Sequence, residues 1–227
     1  MKMLNQDGLK LFALFAMVVD HIAQIFMPET IIGDLLRATV GRTVFPIFCI
    51  LLAQHLAITG CFEKYIKRLT VFAVISQIVL FPFLGWELNI LFSLLLATLF
   101  IALCHKAEEE SFSLYKKCFI DTVLFIGCAS LSIVCSYEVF GFLYIVSLYQ
   151  WFKFKQTRFA VFTLLCAFLM NWKPDMPVIL GISSFLTVLT LLFFHLGGKR
   201  FLGKWYWFYL FYPAHLAFLY GLKDFFS

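Results

Sequence analysis

Apolar residues occur in this chain as long runs with brief polar interruptions. Most runs are long enough, as helices, to cross the ~30 Å hydrocarbon core of a bilayer. They fall at about residues 9–27, 40–59, 69–86, 88–104, 119–136, 138–152, 158–172, 177–195 and 205–222. This pattern predicts about nine transmembrane helices. Several runs are short for the hydrocarbon thickness, which tilt or local thinning accommodates. Nine spans leave no length for a separate soluble domain, so residues 1–227 read as a single all-α, polytopic integral membrane helix bundle. A cleaved leader fits the N-terminus poorly, because Asp20 and His21 interrupt the first run and no small-x-small site follows.

Composition agrees with that reading. The chain is 63% hydrophobic and only 14% charged, against about a quarter charged in a soluble domain. Charge adds an orientation. Alternate threading puts Lys2, Lys10, Lys64, Lys67, Arg68, Lys106, Lys116, Lys117, Lys153, Lys155, Arg158, Lys199, Arg200 and Lys204 on one side. Arg37, Arg42, Lys173 and Lys223 fall on the other. The richer side reads as cytoplasmic, which places the N-terminus inside and the chain in the inner (cytoplasmic) membrane as a multi-pass protein. Retained basic loops then account for the net charge of +5 without a nucleic-acid partner. Nothing in the pattern reads the oligomeric state.

The seven cysteines form no CxxC pair and no metal-ligand spacing. They read as small packing residues, and no metal is expected. No glycine-rich phosphate loop, HExxH helix or GxSxG elbow is present. Chemistry must therefore come from polar side chains projecting into the bundle.

Four places supply them. In the first span, Lys10 and His21 are eleven residues apart, and eleven steps of about 100° return a helix almost to its starting face. The pair lines one stripe about 16 Å long, and ionisable groups at such depth default to function. His21 suits proton abstraction. Asp20 points about 100° away, so a residue orienting His21 must come from another helix; the competing reading is a histidine that bonds a neighbouring helix for packing alone. Arg42, in Gly41-Arg42-Thr43-Val44-Phe45-Pro46, can reach an anionic group or Asp20, or else snorkel to headgroups. In the loop predicted between the second and third spans, Lys64 and Arg68 stand at i, i+4, able to clamp a phosphate, with Lys67 nearby. The competing reading of these charges is purely topological. In the last span, Tyr212-Pro213-Ala214-His215 combines a weakened backbone ladder with a second deep histidine, equally readable as a structural kink. Asn89 is a weaker candidate of the same kind.

The ordered blocks Lys10…Asp20-His21, Gly41-Arg42…Phe45-Pro46, Lys64-Tyr65…Arg68, Asn89-Ile90-Leu91-Phe92 and Tyr212-Pro213-Ala214-His215 resemble the TraX family. TraX-like proteins are polytopic membrane proteins named for N-terminal acetylation of conjugative pilin. The basic residue followed eleven positions later by histidine is also similar to the first-helix signature of the wider transmembrane acyltransferases. Residues of about 105–200 carry no matching motif. Ala23 stands where the pattern leads one to expect glycine, which alters how closely a neighbouring helix approaches.

The resemblance implies an acetyl-CoA-dependent acyltransferase. Lys10, Lys64, Lys67 and Arg68 would hold the donor's phosphates, and His21, with Asp20 and Arg42, would act on the thioester. Asn89, Tyr212 and His215 are further polar candidates. The acceptor would be a protein or glycan group, presented within or across the lipid bilayer. A proton-coupled secondary transporter is the principal rival, since intramembrane His and Asp also serve proton relays. A non-catalytic membrane assembly factor is a third reading, in which nothing depends on His21.

Overall fold

The structure, a computed structural model, describes residues 3–28, 30–171, 179–192, 195–197 and 206–226. Each of the nine expected spans contains a helix. These are α1 (Gln6–Phe26), α3 (Val44–Thr59), α4 (Phe62–Leu84), α5 (Ile90–Glu109), α6 (Leu114–Ser132), α7 (Glu138–Phe154), α8 (Thr157–Leu169), α9 (Ile179–Leu192) and α10 (Tyr206–Phe226). A further helix, α2 (Ile31–Thr39), and a 3-10 turn (Gly41–Thr43) separate α1 from α3. Among the described residues, four stretches are long and apolar enough to cross a membrane by length and composition: Gln6–Phe26, Ile31–Thr59, Phe62–Pro82 and Ile90–Glu109. The protein is a helical membrane protein. Lys2, Lys173, Lys199, Arg200 and Lys204 lie outside the described residues, as do parts of the three last predicted spans.

Two local expectations change. The basic segment after Gly60 is helical from Phe62, so Lys64, Lys67 and Arg68 stand on the first turns of α4 and not in a loop. Pro46 falls in the first turn of α3 and has no N–H to offer the Arg42 carbonyl, which accepts from the Ser184 hydroxyl instead. Beyond the helices, Met3–Asn5 (β1) pairs in parallel with His195–Gly197 (β2), Met3 opposite His195.

Burial explains which helix sits where. α3 is apolar on every side and occupies the middle: Phe45, Ile47, Cys49, Ile50, Ala53 and Leu56 are buried along its length. It packs against α1, α7 and α9. Phe142, Tyr144, Ile145 and Leu148 of α7 complete the centre. α6 is less apolar, carrying Lys116, Lys117 and Asp121, and lies at the edge, with Phe119, Val123, Ile126 and Leu131 exposed. In water such a face would be a liability; in a membrane protein it is the side that meets acyl chains.

Two close approaches fix the α1–α2–α3 corner. A Cβ on Gly33 would run into the carbonyl of Met27, and one on Gly41 would run into the Asp20 carboxylate. Glycine at 41 therefore lets the 3-10 turn lie directly against α1 beside His21.

At the other end of α4, Asn89 is committed to structure. Its Oδ1 caps α5 by accepting from Leu91 N–H at 3.0 Å, and its Nδ2 donates to the Ala73 carbonyl and to Gln77 Oε1, both at 2.9 Å. Its own N–H also donates to Gln77 Oε1 at 2.9 Å. Asn89→Ala removes the cap and strands buried partners, so it is expected to cost about 2 kcal/mol, read as a lower Tm in detergent.

Candidate active site

The first turn of α1 is capped by Asn5, whose side chain accepts from Asp7 and Gly8 N–H. That cap sets Lys10 at the entrance of a cavity of about 490 Å³. Lys10 Nζ donates to Asp7 Oδ1 at 2.9 Å and lies 5.3 Å from the Phe208 ring centroid of α10. Lys64 and Arg68, one turn apart on α4, line the same entrance, together with His55 and Cys61. Their i, i+4 spacing puts both cations on one face, as the sequence indicated. Lys67 is exposed and does not line the cavity. The mouth therefore gathers three of the four basic residues, with Asp7 offsetting one of them.

Inward the lining turns apolar, through Phe48, Leu51 and Leu52 of α3, Leu69 of α4, and Leu91 and Leu94 of α5. It stops at Met17, Val44, Ile90 and Tyr212. Met17 lies one helical turn before His21 on α1, a rise of about 6 Å. Tyr212 lies three residues before His215 on α10, their rings 6.2 Å apart. The shaft thus runs from a cationic entrance to within a turn of the two histidines.

There the structure joins what the sequence could only list. His21 Nδ1 and His215 Nε2 are 2.8 Å apart. His215 Nδ1 is 2.7 Å from the Phe211 carbonyl one turn earlier. Burial at 8% exposure and a stack on the Phe211 ring, centroids 5.0 Å apart, hold the His215 imidazole in place. The residue that meets His21 from another helix is His215.

Asp20, next to His21 in sequence, meets Arg42 at the α1–α3 corner. Asp20 abuts Gly41 and interacts electrostatically with Arg42 and Arg37. The Arg42 backbone is held by Ser184 of α9, whose hydroxyl donates to the Arg42 carbonyl at 3.1 Å while accepting from Asn171 Nδ2. Arg42 Nε is buried and has no hydrogen-bond partner among the described residues. A buried N–H left unpaired is costly; the rest of the half-buried guanidinium interacts with Asp20 and Tyr137.

One residue here was not indicated by the sequence. Tyr137 precedes α7 in the left-handed region, φ 68°, a conformation taken by few non-glycine residues. It stacks on Phe45, centroids 4.1 Å apart, and its hydroxyl interacts with Arg42 and Asp20. It falls in the stretch that carries no recognisable motif, and no local signal points to it.

A family model described as TraX protein matches residues 5–223 of the chain. The chain is also similar to the probable fimbrial assembly protein FimC, serogroup H1, of Dichelobacter nodosus. The two are 28% identical over 244 residues, covering 96% of this chain and 95% of that protein. No solved structure matches it.

Proposed function

The chain belongs to the TraX family, and on that premise we propose that it is a membrane-embedded acetyltransferase, moving an acetyl group from cytoplasmic acetyl-CoA to an amine at the N-terminus of a pilin-like subunit. The family's association with pilin acetylation and the relative's name, a fimbrial assembly protein, favour a protein acceptor. The observation that carries the reading is the cavity, cationic at its mouth and apolar along its shaft, ending a turn short of His21 and His215.

Each part has a task. Lys64 and Arg68, with Lys10, hold the phosphates of coenzyme A as charge-assisted partners. The apolar shaft takes the pantetheine arm, whose length is about that of half a ~30 Å hydrocarbon core. Met17, an unbranched and adaptable side chain, swings aside to pass the thioester to His21. His21 accepts the proton of the acceptor amine as its nitrogen attacks the thioester carbonyl. Arg42 offsets the charge gained by the carbonyl oxygen, and the tetrahedral intermediate collapses by expelling coenzyme A as its thiol, the sulfur taking the proton from the His21 imidazolium.

The mouth gives a direct test. Arg68→Ala and Lys64→Ala should each raise KM for acetyl-CoA by about tenfold or more, with kcat nearly unchanged, since each removes a contact equal in ground and transition states. Acetyl-CoA should also slow alkylation of Cys61, which lines the entrance, without slowing that of exposed Cys118. Unchanged KM values, or Cys61 alkylated at the same rate with donor present, would count against donor binding here.

A further inference from the structure

We propose that His215 is a positioning residue that fixes the tautomer of His21 and so selects Nε2 of His21 as the reacting nitrogen. The inference rests on the acetyltransferase reading for its consequences, but the tautomer is a property of the resting protein.

The argument starts from the Phe211 carbonyl, which can only accept. The 2.7 Å contact to His215 Nδ1 therefore requires the proton on that nitrogen. A neutral imidazole carries a single N–H, so Nε2 of His215 is left with its lone pair. The 2.8 Å contact to His21 Nδ1 then requires the proton on Nδ1. The opposite choice would set two lone pairs against each other in a buried site, with neither satisfied. Two hydrogen bonds thus run in one direction, from His21 to His215 to the backbone, and leave Nε2 of His21 bare.

The chemistry benefits twice. A bare Nε2 is the form that accepts a proton, and it is reached with no reorganisation before the reaction. Once Nε2 is protonated, the new imidazolium donates from Nδ1 to His215, whose own polarity is reinforced by the Phe211 carbonyl. A buried carboxylate does this in the serine-protease triad; here a neutral imidazole takes its place. Asp20, pointing to Gly41, does not occupy that position.

The test uses the full-length protein in detergent with ¹⁵N-labelled histidine. The chain has five histidines, so the His21 signals are identified by their loss in His21→Gln. Nitrogen shifts should show His21 protonated at Nδ1 and bare at Nε2. In His215→Leu the His21 proton should move to Nε2, and kcat should fall about 100-fold or more with KM for acetyl-CoA unchanged. His215→Gln, whose amide oxygen accepts in place of the imidazole, should restore the Nδ1–H tautomer and much of kcat. A His21 protonated at Nε2 in the unmodified protein overturns the inference, as does full-speed transfer by folded His215→Leu. If the tautomer is as stated and no acetyl transfer is found, the relay stands and the acetyltransferase reading falls.

Discussion

Replacing His21 with alanine is expected to lower kcat for acetyl transfer by about 10²–10⁴-fold, the contribution of a positioned general base, while acetyl-CoA still binds. The split follows from position. On the proposed reading the donor's phosphates would sit among Lys10, Lys64 and Arg68, which line the cavity, and Lys10 is roughly 16 Å along α1 from His21 at 1.5 Å per residue. Substitution at His21 leaves that entrance intact. It also strands His215 Nε2, which loses its 2.8 Å partner, so a modest fall in Tm accompanies the loss. The measurement is release of coenzyme A thiol by purified protein in single turnover with a pilin subunit as acceptor. Transfer at the unmodified rate by folded His21→Ala would remove the base from the mechanism.

The second large effect is expected at a residue with no chemistry of its own. Gly41→Ala places a Cβ against the Asp20 carboxylate and 2.9 Å from its Cβ, closer than packed atoms approach. Rotation of the carboxylate relieves only part of this, so the 3-10 turn must lift away from α1. Overpacking of this kind costs about 1–3 kcal/mol, a sizeable share of an ordinary folding free energy of about 5–15 kcal/mol. The shift also moves Arg42, the next residue, away from Asp20 and Tyr137. Loss of both Tm and kcat is therefore predicted. Gly127→Ala is the matched control: nothing lies within 4 Å of its added Cβ, and alanine in a helix should stabilise by about 0.5–1 kcal/mol. Equal melting of Gly41→Ala and unmodified protein would mean that the corner is looser than described.

Helices were legible in the sequence wherever an apolar run was long, because length and hydropathy alone identify them. α2 escaped notice because Ile31–Thr39 is nine residues, far short of a span. Its start signal was nevertheless present: Thr30 caps it by accepting from Gly33 N–H at 3.0 Å. The pairing of Met3–Asn5 with His195–Gly197 left no trace, since three residues establish no period.

The site divides in the same way. Lys10 with His21, and Lys64 with Arg68, were readable because each pair lies on one helix, where spacing gives facing. His21 and His215 are 194 residues apart, and no local rule joins them; each was visible only as a deep ionisable group. Lys67 shows the limit of proximity in sequence, being next to Arg68, which lines the cavity, yet exposed and outside it. Tyr137 depends wholly on how α7 is delivered to the foot of α3.

The central claim is that acetyl-CoA enters the cavity by its cationic mouth, and thermal unfolding of the detergent-purified protein with increasing acetyl-CoA tests it most directly. A ligand that binds only the folded state raises stability by RT ln(1 + [L]/Kd). Tm should therefore climb with donor concentration in unmodified protein and in His21→Ala, and should stay nearly flat in the Lys64→Ala/Arg68→Ala double variant. A flat Tm in the folded, unmodified protein, or an equal climb in the double variant, would contradict the account.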